Sequence, residues 1–454
     1  MKTVKLFTAI FVCAIILFTG CGPDEPKPIA KEVLTLGTNL CILDYKGTFG
    51  DITYSQASVN LTSGSDWTLT NYAGSSIEVN ITEGKAGNYT IKLNLTQDFV
   101  TAIEGGSSLF SSGIVGFVRF ENESAARELM IYYHGKGTAE SPRLITTAVE
   151  LQAIKDNLAR HYLLMCDLMV SSWLPLGDGT NKFTGSINGG GHVVILNGFS
   201  LAVPDNHYGL IGVMEDALVK NLHVVANSTS TLKTDDGVIY GGIAGHMSGN
   251  SRIECSRVSG RLAHSHDNAS GSTFAGGIVG RMSNASVVTN CVSDAVIDIT
   301  SGRDACVGGL VGVQSDGTVS YSYAIGTVTA AGKTMDSTNP INVGGLVGSP
   351  RTVSNCVALC GKVTGDDQGS GNIFIGRVVG RDLGTYSNNY ANSAMTLIGG
   401  TVTGGTATGK DGAGVTLTTT QSQNWWSSTS GFTFSSAAWK WDENTKMPKL
   451  YWEE

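Results

Sequence analysis

A glycine-rich phrase that recurs at a nearly constant interval constrains the fold of this chain more than any other feature. It reads VGGLVGVQ at residues 307–314 and returns in the variants YGLIGVM, YGGIAGHM, AGGIVGRM, VGGLVGSP and IGRVVGRD. The last glycines of the six copies are Gly212, Gly245, Gly280, Gly312, Gly348 and Gly380, separated by 33, 35, 32, 36 and 32 residues. A fixed period of this size predicts a stack of structural repeats.

A second short apolar stretch follows each glycine phrase, and both stretches are typical of β-strands. They are rich in Val and Ile and are bounded by Gly, Ser, Asn and Thr. One strand alone has too few inward side chains to form a core, so each coil must cover the next. A propeller would need four strands and a longer period of roughly 40 to 45 residues. The pattern therefore predicts a parallel β-helix, in which one inward column is Leu222, Ser256, Cys291, Ser322, Cys356 and Asn389.

The composition suits short strands joined by tight turns, and it excludes some classes of partner. Glycine accounts for 59 of 454 residues, and charged residues make up 15% of the chain, against about 25% in typical domains. The formal net charge is −8, which argues against nucleic-acid binding and against electrostatic attachment to acidic lipid.

The cysteines are predicted to be free thiols in the core rather than disulfide or zinc ligands. Beyond Cys13 and Cys21 the chain has seven, an odd number, and their spacing matches no zinc pattern. In the predicted column Cys291 and Cys356 lie two coils apart, about 9.6 Å. A disulfide spans at most roughly 7 Å between Cα atoms. We therefore expect both to be buried and unpaired.

The amino terminus predicts a secreted protein with a lipid anchor. Residues 1–20 form a signal peptide, and LFTGC at residues 17–21 resembles the bacterial lipobox, which implies cleavage before Cys21 and acylation of its thiol. The alternative is an ordinary signal peptide followed by a chance cysteine. Residues 21–31 read as a lipidated tether, whose Asp24 and Glu25 are similar to the surface-export signals of Bacteroidetes lipoproteins. The expected location is the outer membrane and cell surface, with the lipid as the sole membrane contact.

Two folded regions are expected after the tether. Residues 32–137 alternate apolar and polar side chains over about seven segments, which predicts an immunoglobulin-like β-sandwich acting as a stalk. Residues 138–394 are assigned to the parallel β-helix. Between residues 147 and 160 the apolar period changes to three or four, and Thr147 with Glu150 is placed as a capping box. This helix is expected to cover the first coil, so the fold class is all-β with one capping helix.

The central region resembles a known family. ELQAI, WLPLG, FTG and GGGH, followed by the repeated GGLVG phrase, are similar to the GLUG-motif family of secreted bacterial proteins over residues 144–390. The chain departs from it at Asn188–His192, where the family often has Asp-Gly-Asn-Gly-His. The resemblance implies an adhesin-like surface protein. The motif also occurs beside IgA-specific metallopeptidases, but this chain has no His-Glu-x-x-His, so we expect no enzyme, metal or cofactor.

The carboxyl-terminal residues 395–454 are assigned to an aromatic cap. They contain five of the seven tryptophans, namely Trp425, Trp426, Trp439, Trp441 and Trp452. Clustered aromatics favour a hydrophobic plug that closes the last coil, and the alternative is a platform on which sugar rings stack.

The long turns before the glycine phrases are the candidate ligand-binding edge. They carry Asp235, Asp236, Asp267, Asp304, Asp336, Asp366 and Asp367. Because the turns occupy the same place in successive coils, these acids should line one edge, where they could hold calcium or contact a glycan. The alternative is an ordinary polar, solvated edge; His264 and His266 belong to it as surface histidines that could bind metal. We expect a non-catalytic, adhesin-like protein that binds an extracellular glycan or protein. The alternative is a polysaccharide lyase or glycoside hydrolase that uses these carboxylates.

Overall fold

The computed structural model describes residues 33–43, 48–49, 52–53, 56–104, 114–200, 204–227, 232–233, 237–266, 271–332, 340–366 and 372–454. The predicted signal peptide, the tether and Cys21 lie outside these residues.

Two β-sheets enclose the amino-terminal core. One is antiparallel and has four strands, in the order Leu34–Leu36, Gln56–Ser63, Gly87–Leu95 and Ile77–Val79. The other has five, in the order Leu40–Leu43, Ala126–Tyr133, Ile114–Asn122, Trp67–Asn71 and Glu83–Gly84, and its first pair is parallel. Side chains such as Trp67, Ile91 and Phe120 fill the space between the sheets. The arrangement is consistent with the predicted sandwich. A helix at Gln97–Glu104 and a small hairpin, Thr48–Phe49 with Ile52–Thr53, accompany it.

The rest of the chain winds into a parallel β-helix, which confirms the predicted solenoid. One coil runs through Val287–Thr289, Val292–Ser293, Val296–Ser301, Ala305–Gly308 and Val311–Gln314 before the next begins. Each of these strands pairs in parallel with its equivalents in the coils before and after it. The coils enclose one continuous apolar core that extends from Ile145 to Met395.

Four stacked sheets form the sides of the solenoid. The flank sheet has nine strands: Arg143–Ile145, His161–Leu164, Ser186–Asn188, Leu218–Lys220, Arg252–Glu254, Val287–Thr289, Thr318–Ser320, Thr352–Ser354 and Thr385–Ser387. The strap sheet, named after the carboxyl-terminal strap at residues 416–454, has fourteen strands. They are Leu168–Trp173, Val193–Phe199, His223–Asn227, Leu232–Lys233, Arg257–Ser265, Val292–Ser293, Val296–Ser301, Tyr323–Ala324, Val328–Gly332, Val357–Ala358, Lys362–Asp366, Tyr390–Asn392, Thr396–Ile398 and Ala413–Val415.

The two remaining sheets meet at the glycine phrase and are called the corner sheets. The first contains His207–Tyr208, Ile239–Gly241, Thr273–Gly276, Ala305–Gly308, Ile341–Gly344 and Ile373–Gly376. The second contains Ile211–Glu215, Ala244–Ser248, Val279–Met282, Val311–Gln314 and Val347–Ser349.

The predicted register is confirmed along the whole stack. Val279 lies beside Val311, and Val311 lies beside Val347, so the glycine that follows each valine falls in one column. In the predicted inward column, the Cys291 amide donates to Ser322 Oγ at 3.0 Å, and the Cys356 amide donates to Asn389 Oδ1 at 3.0 Å. Cys291 and Cys356 are buried free thiols, as expected.

The predicted helix before the first coils is present but shorter than expected. An α-helix spans Ala148–Ala153 and continues as a 3-10 turn at Ile154–Asp156. The Thr147 hydroxyl accepts from the Glu150 amide at 3.2 Å, and the Glu150 carboxylate accepts from the Thr147 amide at 3.0 Å, so the capping box is confirmed. The helix packs into the solenoid core. On the sandwich, Ile42 also contacts this core.

The carboxyl-terminal segment differs from the predicted end plug. Residues 400–412 close the last coil, because the buried Asp411 accepts from the Arg377 amide at 2.9 Å and Arg377 donates back to the Asp411 and Gly412 carbonyls. Residues 416–454 then fold back along the outside of the solenoid and form the strap. The strap contains the helix Gln423–Ser428 and the hairpin Trp439–Asp442 with Met447–Leu450.

Candidate ligand-binding surfaces of the solenoid

The glycine phrase shapes the corner between the two corner sheets. A Cβ atom on Gly312 would lie 2.5 Å from the Gly280 carbonyl oxygen and 2.6 Å from the Ala275 nitrogen, both backbone atoms of the preceding coil. Gly280 meets the backbone of Tyr240 in the same way, and Gly348 meets that of Val307. Successive strands therefore approach too closely for any side chain. The phrase is accounted for by packing, and the candidate binding surfaces lie elsewhere.

The predicted acidic edge is only partly described by the structure. Asp235, Asp236, Asp267, Asp336 and Asp367 lie outside the described residues. Asp304 is engaged in its own turn, where its Oδ1 accepts from the Ser272 hydroxyl at 2.8 Å and lies 3.3 Å from Arg303 Nε. Asp366 is exposed at a strand end.

Asp304 and Asp366 are not brought together. Asp366 is in register with Ala331, which is in register with Thr300 in the coil of Asp304, so two coil steps, roughly 10 Å along the axis, separate the two acids. Among the described residues no group of three acidic, His or Cys side chains could hold a metal ion.

His264 and His266 were expected at the surface of this edge, and that expectation is wrong. The two side chains are only 1% and 3% exposed, and their rings lie 5.3 Å apart. His266 Nε2 lies 3.0 Å from both Thr273 Oγ1 and Ser301 Oγ. The pair therefore forms part of a buried polar network that fixes the turn, since buried polar groups are hydrogen-bonded.

The tryptophans of the strap cover an apolar row on the outside of the strap sheet. Val292, Tyr323 and Val357 lie in successive coils of this row and are buried. Trp426 and Trp439 lie 5.4 and 5.6 Å from the Tyr323 ring, measured between centroids, and neither is exposed. These two side chains act as core residues, and neither has a free face for a sugar.

The second half of the strap is also held by polar contacts. Trp439 Nε1 donates to Asn290 Oδ1 at 3.0 Å, and Trp452 Nε1 donates to the Cys255 carbonyl at 2.7 Å. Glu453 forms an ion pair with Arg257 at 2.9 Å. The outward face of the central strap sheet is therefore occupied by the chain itself.

The flank sheet carries two outward rows of hydroxyl groups in its last three coils. Val319 and Val353 point into the core and are fully buried, so the residues on either side of each point outward. The strands pair in register, so that like residues lie beside one another. We call these six residues the hydroxyl face: Thr318, Ser320, Thr352, Ser354, Thr385 and Ser387. Thr385 and Ser387 are exposed, Thr318, Thr352 and Ser354 are half-buried, and Ser320 is buried at 9% exposure.

A row of left-handed residues borders the hydroxyl face where the flank sheet turns into the strap sheet. The positions with positive φ are Asn221, Cys255, Asn290, Tyr321, Asn355 and Asn388. Asparagine adopts this conformation more readily than other non-glycine residues, and Asn388 Nδ2 donates to Asn355 Oδ1 at 2.8 Å. Tyr321 is an exposed exception in this row, because its φ is 47° and its side chain is 37% exposed.

A polar groove borders the hydroxyl face on its other side. It has a volume of about 430 Å³ and is lined by Ser315, Asp316, Arg351, Thr352, Leu383, Gly384 and Thr385. Arg351 is exposed, and its Nε donates to the Ser315 carbonyl at 3.2 Å. Asp316 is also exposed. The groove, the hydroxyl face and Tyr321 thus form one continuous polar surface across three coils.

Comparison with known proteins agrees with the repeat pattern. The family model described as "The GLUG motif" matches residues 304–329. This chain carries the GLUG motif. The match includes the phrase at residues 307–314 and the flank-sheet strand Thr318–Ser320, so the motif spans the tight corner and the return to the flank.

Two curated relatives match parts of the repeat-containing chain. A candidate Gly-rich membrane protein of Evansella cellulosilytica is 35% identical over 109 residues, which cover 21% of this chain and 12% of that protein. Halomucin of Haloquadratum walsbyi is 32% identical over 149 residues, which cover 29% of this chain and 2% of that protein. The match therefore spans only a small part of either relative.

One solved structure is similar over most of its length. It is the crystal structure of a candidate immunoglobulin A1 protease from Bacteroides ovatus, with a TM-score of 0.52 and 21% identity. The alignment covers 70% of this chain and 95% of that one. At this identity the likeness establishes a shared fold. Within the part of the chain that the structure describes, no helix is both long and apolar enough to cross a bilayer.

Proposed function

We propose that the protein is a surface-anchored, non-catalytic repeat protein whose solenoid binds an extracellular glycan or protein. The observation that carries this proposal is the exposed flank of the solenoid, where outward side chains recur in register through successive coils. Solenoids of this kind present extended surfaces that suit extended partners. The strap covers the apolar row of the strap sheet, whereas no strap residue covers Thr385 and Ser387 on the flank, which are exposed.

The proposed location rests on the amino-terminal sequence and on one relative. The lipobox-like LFTGC supports a proposed lipid on Cys21, and the sandwich would then be a spacer between the lipid and the solenoid. The Evansella relative is named as a membrane protein. In cells fed an alkyne-labelled fatty acid, the wild-type chain should become labelled and sediment with the outer membrane. A Cys21→Ala variant that is labelled to the same extent would contradict the lipid anchor.

The catalytic alternative, a polysaccharide lyase or glycoside hydrolase, has less support. Such enzymes need carboxylates that converge on one bond, with a separation of about 5 to 10 Å in glycoside hydrolases. Asp304 is committed to Ser272 and Arg303, and Asp366 lies two coils away. The fold shared with a candidate protease does not carry activity with it.

A paired experiment distinguishes binding from catalysis. The soluble chain from Lys31 onward is applied to a glycan array and to extracellular-matrix proteins, with heat-unfolded chain as the control. The same chain is then incubated with each bound glycan and assayed for new reducing ends and unsaturated products. Saturable binding without product supports the proposal. Product formation that is lost in Asp304→Asn or Asp366→Asn would establish the enzymatic alternative instead.

A further inference from the structure

We infer that the hydroxyl face, together with Tyr321 and the groove beside Arg351, is a binding site for an uncharged, extended polysaccharide. This inference rests on the proposed binding function and adds the site and the ligand class. Three features of the surface support it: the uncharged hydroxyl groups of the face, the exposed Tyr321 ring at one margin and the polar groove at the other.

The hydroxyl face is a regular two-row array. Neighbouring coils are about 4.8 Å apart, and alternate residues along a strand are roughly 6.6 Å apart, so six hydroxyl groups occupy an area of about 10 by 7 Å. Each hydroxyl donates one hydrogen bond and accepts others. The buried Ser320 hydroxyl donates to Thr289 Oγ1 at 3.1 Å, which leaves the hydroxyl groups of the other five residues as the ones a ligand can reach. A ligand that both donates and accepts at short, regular intervals fits such an array, and a polysaccharide does so.

The charge of the surface selects an uncharged ligand. Earlier coils of the flank sheet carry Lys220, Arg252 and Glu254 in the same two rows, and Arg252 pairs with Glu254. The six residues of the hydroxyl face carry no charge. The groove adds one cation, Arg351, and one anion, Asp316, so the surface as a whole is neutral. Serine is depleted at protein–protein interfaces, which favours a glycan over a protein as the occupant.

Tyr321 supplies an apolar surface at the margin of the array. Four of the six residues in its row are asparagine, and Cys255, the other exception, is buried under the strap, where its carbonyl binds Trp452. Tyr321 instead leaves more than a third of its surface open to solvent. An amphipathic ring that is exposed beside polar groups can stack on a sugar and still hydrogen-bond through its hydroxyl.

The groove supplies fixed polar partners on the opposite margin. Arg351 is a planar donor that can bind two oxygens at once, and the Ser315 carbonyl already holds its Nε in place at 3.2 Å. Asp316 offers acceptors beside it, and the Asp316 Oδ1 also accepts from the Gly317 amide at 2.8 Å, which orients the carboxylate. Adjacent hydroxyls of a sugar ring can use both groups. A glycan lying along the flank strands, from the groove to Tyr321, would therefore meet donors, acceptors and an aromatic ring in sequence.

The test measures binding of defined hexasaccharides to the soluble chain by isothermal titration calorimetry. The uncharged probes are the hexamers of glucose, xylose, mannose and N-acetylglucosamine, and the charged probes are hexagalacturonate and a heparin hexasaccharide. Tyr321→Asn removes the ring but installs the residue found at Asn290 and Asn355, so folding should be preserved. Thr352→Val removes one hydroxyl with little change in shape. Thr329→Val, on the outward side of the strap sheet, is the matched control.

We expect at least one uncharged hexamer to bind, with affinity about tenfold lower in Tyr321→Asn and about fivefold lower in Thr352→Val, and unchanged in Thr329→Val. Binding of an uncharged hexamer that survives both variants would overturn the assigned site, although the proposed binding function would stand. Binding of only the charged hexamers, or of a protein, would overturn the ligand class and leave the proposed function intact. A chain that binds no glycan and no matrix protein would remove both.

Discussion

Replacement of Gly312 by alanine is the sharpest test of how the repeat phrase specifies the fold. The added methyl would lie 2.5 Å from the Gly280 carbonyl oxygen and 2.6 Å from the Ala275 nitrogen, whereas ordinary contact begins at 3.4 Å. The neighbouring backbone would have to retreat by roughly 0.9 Å. Both neighbours are backbone atoms of strands paired on each side, Val279 with Val311 and Ala275 with Val307, so they cannot rotate away as a side chain would.

The size of the destabilisation by Gly312→Ala follows from the rigidity of these backbone atoms. Extra methyl groups in well-packed cores cost about 1 to 3 kcal/mol, and more when the surroundings cannot move. Because the clash involves two backbone sites in a neighbouring coil, we expect a loss of about 3 kcal/mol in the free energy of unfolding. The control is Gly361→Ala. Gly361 lies in an exposed turn without positive φ, and a methyl there would meet open space. That variant should match the wild type or gain up to about 1 kcal/mol through a less flexible unfolded chain.

Urea unfolding, followed by both far-ultraviolet circular dichroism and tryptophan fluorescence, measures the difference. Circular dichroism reports the sheets, and fluorescence reports the strap, whose tryptophans pack against the same coils. A Gly312→Ala chain that unfolds within about 1 kcal/mol of the Gly361→Ala chain would refute the explanation. The glycines would then be required for something other than the approach of neighbouring strands.

Three further outcomes follow from burial. Trp439→Ala should lower the free energy of unfolding by about 3 to 5 kcal/mol, since this side chain is fully buried. It should also let a protease release the strap. A strap that resists the protease as well as in the wild type would contradict the role of Trp439 as a core residue. Burial, with the nearby Arg143, lowers the pKa of His134 from 6.5 to about 3. Its neutral form therefore stabilises the fold fully above pH 6.5, and this contribution is lost as the pH falls towards 3. Urea titrations at pH 7 and 4.5 should show that the free energy of unfolding of the wild type falls between the two pH values. The fall should be smaller in His134→Gln, by at most about 2.7 kcal/mol. Burial raises the pKa of Glu150, so this residue stabilises the fold more at low pH, in the opposite direction to His134. Finally, burial raises the pKa of Cys356 to about 12, so Ellman's reagent should label Cys166 first and reach Cys356 only after unfolding; equal rates in the folded protein would disprove its burial.

The stack and its register could be predicted because they depend on local, repeated information. The spacing of Gly280, Gly312 and Gly348 fixes the length of a coil, and side chains in register follow from that length alone. The capping box at Thr147 and Glu150 was also readable, because its two hydrogen bonds join residues only three apart. The helix ended earlier than its apolar period indicated, since the chain must turn at Asn157 to enter the strand His161–Leu164.

The candidate binding surfaces were harder to predict because they depend on which face is covered. Trp452 contacts Cys255 across 197 residues of sequence, and no local pattern indicates that the strap folds back over the strap sheet. The sequence placed His266 in a polar turn but could not show that Thr273 and Ser301 enclose it. The hydroxyl rows were visible as TVS, TVS and TYS, at residues 318–320, 352–354 and 385–387. Their outward direction follows from the same alternation that buries Val319 and Val353.

The position of the strap gives a physical reason for the proposal that the flank sheet binds the ligand. In a solenoid every coil has the same inward requirement, so outward rows can differ from coil to coil without loss of the core. The outward row of Val292, Tyr323 and Val357 is apolar and is buried by the carboxyl-terminal residues, whereas the flank strands in the coils of Tyr323 and Val357 carry hydroxyl groups outward, at Thr318, Ser320, Thr352 and Ser354. A chain that covers its own apolar row internally leaves a polar face available for a partner. The flank changes from the charged Arg252 and Glu254 to the neutral Thr352 and Ser354, and this change is why we assign the proposed uncharged ligand to the last three coils.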